Sequence, residues 1–292
     1  METKDILIVG AKGHLGSYLS SDCTIDYTDS LDSLTSDVLS QLKPKVIVNC
    51  AAKTDMIWCE SNRESCFYNN VRAPVALYKR ISSVLRDSVF IQISSGCIWD
   101  GPYNSNGFPF ESNTPPEPQC VYTESKVQCE KELAELHFQN ESTTPLRIFR
   151  PRLIFSEVNS PRNLLCKLLK YENLIDDYNS FTSCNTIRRC VHGIAENIRK
   201  WSYYHSFHGF RIHNAFDIGV STPYSIAMKL HEAGLRAKPN KLDKSGLDSW
   251  HKPKRVNVIM RDPEFEELYQ PDYLEITLDN CIKSLALKLK GE

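Results

Sequence analysis

The sequence has no excess of charge of either sign: 35 Lys and Arg stand against 36 Asp and Glu in 292 residues. That removes the electrostatic argument for nucleic acid or an anionic membrane as a partner. A small anionic ligand stays open, because local charge can bind it whatever the total. No apolar run approaches the ~20 residues that a membrane-spanning helix needs. Met1 to Asp5 run straight into an apolar strand, so no signal peptide is expected. Internal repeats and low-complexity tracts are absent. No Cys-x-x-Cys pair occurs among the eleven cysteines, and the eight histidines show no ligand spacing, so no metal and no redox pair is expected. The cysteines are odd in number, irregularly spaced and mostly set in apolar runs. They read as small core residues of a reducing, cytoplasmic protein.

Against these absences, the first feature present is Ile6-Leu-Ile-Val9, a run typical of a strand buried on both faces. Gly10-Ala-Lys12-Gly13-His14-Leu15-Gly16 follows at once, then a short helical segment from Ser17 to Ser20. In the order strand, glycine turn, helix, this motif binds a dinucleotide: the glycines admit a pyrophosphate close to the backbone and the helix start supplies N–H donors. A second strand, Thr24 to Tyr27, should end near the adenosine ribose; Asp26 and Asp29 there favour NAD, whereas Lys12 can meet the phosphate of NADP. Cofactor preference is therefore open between NADPH and NADH. Further strands are expected at Val46–Asn49, Val89–Ile93 and Leu146–Phe149, with helices at Leu34–Leu42, Asn62–Ile81 and Tyr122–Leu136. The small residues Ala51 and Ala52, after the third strand, leave room for a cofactor.

This alternation predicts an α/β fold, a Rossmann-type doubly wound parallel sheet over residues 1–150. Residues 151–292 are expected to form a smaller substrate-binding cap, partly interleaved with the first region. Within it, helices are expected at Asn163–Leu169, Val191–Trp201, Pro223–Ala233 and Ile276–Lys290, and a strand at Phe210–Asn214.

The chemistry gathers between Ile91 and Lys126. One strand ends in Ser94-Ser95-Gly96-Cys97, and the following helix carries Tyr122 and Lys126 on one face. A lysine cation beside a tyrosine favours the phenolate and makes a proton shuttle. Ser95 can hydrogen-bond the same substrate oxygen. With a nicotinamide at the strand ends, these parts reduce a carbonyl: hydride from the cofactor, proton from Tyr122.

Together, the glycine motif, Asn49-Cys-Ala-Ala52, the Ser-Ser strand end and Tyr-x-x-x-Lys resemble the extended short-chain dehydrogenase/reductases. Within that superfamily the chain resembles the dTDP-4-dehydrorhamnose reductase branch. Trp58-Cys-Glu60-Ser, Gly96-Cys97-Ile98, Ser160-Pro-Arg162-Asn163 leading to Lys167, and Asn179-Ser-Phe-Thr182 are similar to bifunctional UDP-4-keto-6-deoxyglucose 3,5-epimerase/4-reductases. The likeness runs from about residue 6 to 182 and is loose in the last third.

The resemblance implies a reductase set of Ser95, Tyr122 and Lys126, an epimerase acid/base pair of Cys97 and Lys167, and a cofactor loop at Gly10, Gly13 and Gly16. It implies UDP-4-keto-6-deoxyglucose as substrate, made by a 4,6-dehydratase, and leaves a homodimer open. The thiol also makes chemical sense by itself. Protons at C3 and C5 of a 4-keto sugar lie α to the carbonyl. Their removal gives an enolate whose oxygen Ser95 and Tyr122 can hold. Cys97 can reach one face and a desolvated Lys167 the other. Arg162 and Asn163 are candidates for the diphosphate or sugar. Glu60 can hydrogen-bond a sugar hydroxyl or cap the next helix, and Lys254 and Arg255 can bind a phosphate but read better as an exposed basic loop. Two other functions fit less well: a reductase acting only on an already epimerised dTDP sugar, and a non-catalytic cofactor-binding regulatory subunit.

Overall fold

A computed structural model of the chain describes residues 5–20, 24–139, 144–198, 209–242, 253 and 256–291. Lys254, Arg255 and Trp201 lie outside the described residues. In the first half, β1 (Ile6–Val9), β2 (Thr24–Tyr27), β3 (Val46–Asn49), β4 (Val89–Ile93) and β5 (Leu146–Pro151) alternate with helices. The helices are α1 (His14–Leu19), α2 (Ser36–Leu42), α3 (Met56–Ser61), α4 (Arg63–Phe67), α5 (Ala73–Val84) and α6 (Val121–Gln139). The second half adds β6 (Ile154–Phe155), α7 (Leu164–Leu168), β7 (Asn173–Ile175), β8 (Thr182–Ser183) and α8 (Cys184–Glu196). Then come β9 (Phe210–Ala215), α9 (Pro223–Glu232), β10 (Asn240–Leu242), α10 (Pro263–Tyr269) and α11 (Leu274–Lys290).

Six strands form one parallel sheet in the order β2-β1-β3-β4-β5-β9. Successive residues of β1 face opposite ways: Ile6 and Ile8 enter the core under α1, α8 and α10, while Leu7 and Val9 enter the core under α2, α5 and α6. Both faces are therefore covered, which is why the central strands β1, β3 and β4 are near-continuous apolar runs. From β1 the chain moves to one side for β2 and to the other for β3, so the sheet's direction of winding switches between β1 and β3. Ligands of such sheets bind at that crevice, outside the carboxyl ends of the strands.

The second half has its own core, where Phe155, Leu165, Phe181, Ile226, Leu230, Leu278 and Leu285 pack together. Its β9 and α8 nevertheless return to the large sheet, β9 as the edge strand beside β5. Caps explain where several helices begin. Ser183 accepts from the Thr186 N–H, so α8 starts at Cys184, earlier than the apolar spacing around Val191 suggests. Thr222 caps α9 and Asp262 caps α10, each with Pro at the first helical position. The helix expected over 62–81 is not continuous: a π-helical turn, Tyr68–Arg72, separates α4 from α5. No helix among the described residues is long and apolar enough to cross a membrane.

Candidate active site

At the switch point the loop after β1 meets the loop after β3. Gly10 has φ +81°, and a Cβ there would lie 2.7 Å from the Ala51 nitrogen. A side chain would fill the space between the loops, so only glycine keeps that cradle open. Gly13 precedes α1, which begins at His14, earlier than its sequence pattern suggests. Leu15 and Gly16 are buried beneath the loop, Lys12 is exposed at its rim, and Ala51 and Ala52 are half-buried opposite it. Asn49 Oδ1 accepts from the Ala51 N–H at 3.1 Å and its Nδ2 donates to Gln92 at 2.9 Å, tying the end of β3 to β4. An open glycine cradle beside small residues fits a dinucleotide. Asp26 is exposed at the end of β2, so an acid and a base both remain near the ribose side.

The end of β4 and the start of α6 bring Ser95, Tyr122 and Lys126 together. All three are buried, at 4, 8 and 3% exposure. The Ser95 hydroxyl accepts from the Cys97 N–H at 3.1 Å and faces Tyr122 closely enough to favour its ionised form. Lys126 Nζ lies 5.9 Å from the Tyr122 ring centre and donates to the Ile93 carbonyl at 3.1 Å. Burial raises the Tyr122 hydroxyl well above its ordinary value, with the Cys97 charge adding to the rise and Ser95 opposing it. Burial also lowers Lys126, against the neighbouring Cys129 and Glu130. In the ligand-free chain, burial thus opposes the phenolate that Lys126 is expected to favour. Tyr122 keeps its proton, which suits a group that must donate one to an alkoxide.

Several residues that support this arrangement were not singled out from the sequence. Glu130, one helical turn beyond Lys126, takes three N–H···O contacts from Arg150 at 2.6 to 3.1 Å and also accepts from Ser94. Arg150 in turn lies 5.2 Å from the Trp99 ring centre. This buried ion pair clamps α6 to the ends of β4 and β5. Asn70, on the π-turn, clips Lys53 by both its N–H and C=O (2.8 and 2.9 Å) and donates to Ser125 at 3.0 Å. A π-turn commonly marks a functional position, and here it aims one amide between the loop after β3 and α6. Glu60 accepts from the Val121 N–H at 2.9 Å. Its carboxylate therefore anchors the first turn of α6, and not the helix that follows it in the chain.

The remaining candidates divide. Cys97, half-buried, receives the Arg152 Nη1 donor at 2.7 Å. Lys167 sits on α7 and is exposed, so the desolvated lysine expected there is not present in the ligand-free chain. Its charge is felt at His14, which burial lowers first and Lys167 second, with Glu157 opposing. His14 Nε2 also lies 3.3 Å from Ser156 Oγ, joining the glycine loop to the second half. Arg162 is exposed. Asn163 is fully buried, and its amide is occupied: it accepts from Ser156 N and Leu165 N and donates to the Ser156 and Val158 carbonyls. Asn163 therefore braces the 156–163 loop, and direct contact with substrate is not what its side chain does here. The ten described cysteines are free, and only Cys50 and Cys97 are not buried.

Comparison with known proteins gives this geometry a context. A bifunctional dTDP-4-dehydrorhamnose 3,5-epimerase/reductase of Arabidopsis thaliana is 30% identical over 196 residues, 61% of this chain and 62% of that protein. A trifunctional UDP-glucose 4,6-dehydratase/3,5-epimerase/reductase of the same plant is 31% identical over 60% of this chain, and the match spans 27% of its length. Among solved structures, a UDP-rhamnose synthase of Acanthamoeba polyphaga mimivirus superposes with a TM-score of 0.77 at 18% identity, over 96% of this chain and 98% of that one. A Bacillus anthracis dTDP-4-dehydrorhamnose reductase in complex with NADP gives 0.77 at 15% identity, over 97% and 99%. At those identities the superpositions speak for the fold. Residues 4–217 match the RmlD substrate binding domain, and the chain belongs to that family.

Proposed function

We propose that this chain is an NAD(P)H-dependent reductase of a nucleotide-bound 4-keto-6-deoxy sugar, and that it also epimerises C3 and C5, converting UDP-4-keto-6-deoxyglucose to UDP-β-L-rhamnose. The observation that carries the reductase reading is the buried Ser95–Tyr122–Lys126 cluster at the carboxyl end of β4, beside the glycine cradle. When bound, a reduced nicotinamide supplies the hydride for C4. Ser95 and Tyr122 orient the C4 oxygen, and Tyr122 gives it a proton. Lys126, fixed on the Ile93 carbonyl, holds the end of β4 against α6.

Support for epimerisation comes from Cys97, two residues past Ser95 and exposed enough to meet a substrate. The same Ser95 and Tyr122 donors that polarise the carbonyl stabilise the enolate formed when an α-proton leaves. Lys167 would complete the exchange from the other face once substrate covers it. The relatives named for both activities favour this reading, and the trifunctional one, named also as a 4,6-dehydratase, points to that reaction as the source of the keto sugar. The exposure of Lys167 favours a second reading, a reductase that takes only the pre-epimerised sugar, dTDP-linked or UDP-linked.

The test is incubation with UDP-4-keto-6-deoxy-D-glucose and NADPH in heavy water. Deuterium at C3 and C5 of a rhamnose product is the expected outcome. Turnover of the pre-epimerised sugar alone would establish the simpler reductase. Cofactor binding without turnover of either sugar would leave a regulatory subunit.

A further inference from the structure

We propose that Arg152 is a positioning residue for Cys97, supplying the counter-charge for the sulfur in its thiolate form. The proposal deepens the epimerase reading above and rests on it. Arg152 is 3% exposed and directs Nη1 to Cys97 Sγ at 2.7 Å. Its other side-chain contacts are neutral oxygens: Asn179 Oδ1, met by Nε at 3.2 Å and Nη2 at 2.5 Å, and the Val256 carbonyl. The contrast with Arg150 is direct. Arg150 is neutralised by Glu130, whereas among the described residues Arg152 has no carboxylate in an ion pair. Buried cations are normally paired with an anion. Of the described groups that Arg152 touches, only the Cys97 sulfur can become one.

The backbone is built to make this contact. The Gly96 N–H donates to the Pro151 carbonyl at 2.8 Å, setting the two strand ends side by side. A Cβ on Gly96 would stand 3.3 Å from Arg152 Cβ and 2.5 Å from Met260 Sδ, so glycine is what lets the arginine close on the strand end. The Arg152 N–H donates to Thr182 Oγ1 at 2.8 Å. Leu153, next in the chain, adopts φ +44°, a left-handed conformation that a leucine takes only when its surroundings impose it.

The chemistry balances. A C–H bond α to the carbonyl breaks and an S–H bond forms at Cys97. The electron pair moves to the C4 oxygen, held by Ser95 and Tyr122; an N–H bond of the Lys167 ammonium then breaks as the new C–H bond forms on the opposite face, inverting the carbon, and the thiol and neutral amine exchange protons with solvent to reset. Nothing is oxidised or reduced. Arg152 is held in place by Asn179 and Val256, so it can offset the thiolate through the sulfur contact alone.

Iodoacetamide alkylation of Cys97, read by mass spectrometry of its peptide, tests the pairing without substrate or cofactor. It is run on the full chain alongside C3/C5 deuterium exchange and reduction of the pre-epimerised sugar. Arg152→Gln is expected to slow alkylation at least ~10-fold, and to cut exchange far more than reduction. Arg152→Lys, which keeps the charge, should alkylate within ~3-fold of the parent chain; this variant carries the test if the Gln chain does not fold. Alkylation of Arg152→Gln at the parent rate, or equal loss in the Lys and Gln variants, overturns the proposal. Should the parent chain exchange no deuterium while the alkylation pattern holds, the charge pairing stands and the epimerase reading falls.

Discussion

Glu130→Gln isolates the buried clamp behind the site. The change keeps the shape of the side chain and removes its charge. Arg150 then stays buried at 5% side-chain exposure with its acidic partner gone, held by the Ser112 carbonyl at 2.8 Å and the Trp99 ring. Breaking a buried pair from one side costs roughly 3–5 kcal/mol, because the remaining charge has been stripped of water. The amide oxygen of Gln preserves part of the hydrogen bonding, so the expected loss is about 3–4 kcal/mol. With an unfolding entropy of about 2.1 cal/mol/K per residue over 292 residues, this corresponds to a fall in Tm of roughly 5–7 °C. Urea unfolding at constant m-value measures it. The control is Glu124→Gln, whose pair with Arg63 is 2.7 Å long but 59% and 39% exposed; about 0–1 kcal/mol is expected there. Glu130→Leu combined with Arg150→Met should recover most of the loss, since apolar replacement of a whole buried pair is often neutral. A Glu130→Gln loss under about 1 kcal/mol, equal to the control, would refute the assignment of Glu130 as the clamp.

Tyr122→Phe removes the proton donor and should lower kcat for reduction by roughly 10²–10⁴-fold, followed by loss of NADPH absorbance; an unchanged kcat would move the proton source elsewhere. Gly10→Ala places a Cβ 2.7 Å from the Ala51 nitrogen at φ +81°, so about 1–3 kcal/mol of strain and a weakened NADPH Kd by calorimetry are expected, and a parent-like Kd would show that the cradle is not where cofactor binds. Asp217 gives a pH dependence: burial pushes its carboxyl up to about 6, against hydrogen bonds from Ser183 and Thr186. The folded value lies above the unfolded one, so between pH ~4 and ~6 the native state holds the extra proton and stability falls as pH rises, by about 2–3 kcal/mol from this group. Asp217→Asn should flatten that slope in urea midpoints taken at pH 4, 5 and 6, and an unaltered slope would assign the titration to other groups.

How much of this was legible in the sequence depends on the distance over which each feature is encoded. The strands of the sheet and the glycine loop are local: four apolar residues followed by glycines specify their own conformation, and the structure places them where periodicity does. Helix starts depend on single caps. Thus α8 begins at Cys184 because of Ser183, which an apolar count around Val191 passes over. The break at Tyr68–Arg72 is not local at all. Nothing in Tyr-Asn-Asn-Val-Arg forbids an α-helix; the π-turn is held by Asn70 reaching across to Lys53 and Ser125, residues distant in sequence.

The same limit explains why two arginines two residues apart were indistinguishable on the page. Arg150 and Arg152 flank Pro151, and side chains at that spacing on a strand lean to the same face. The strand ends at Pro151, and the left-handed Leu153 turns the chain immediately afterwards. Arg150 thereby reaches Glu130 on α6, and Arg152 reaches Cys97 and Asn179. One turn of backbone thus assigns one cation to hold the helix bearing Tyr122 and the other to stand beside the thiol. Ser95, Tyr122 and Lys126 are therefore already held together in the ligand-free chain, behind a neutralised Arg150–Glu130 pair. Cys97 and Arg152 stand together beside them, whereas Lys167 on α7 is exposed, so the proposed epimerase pair depends on a substrate to bring its two members into play.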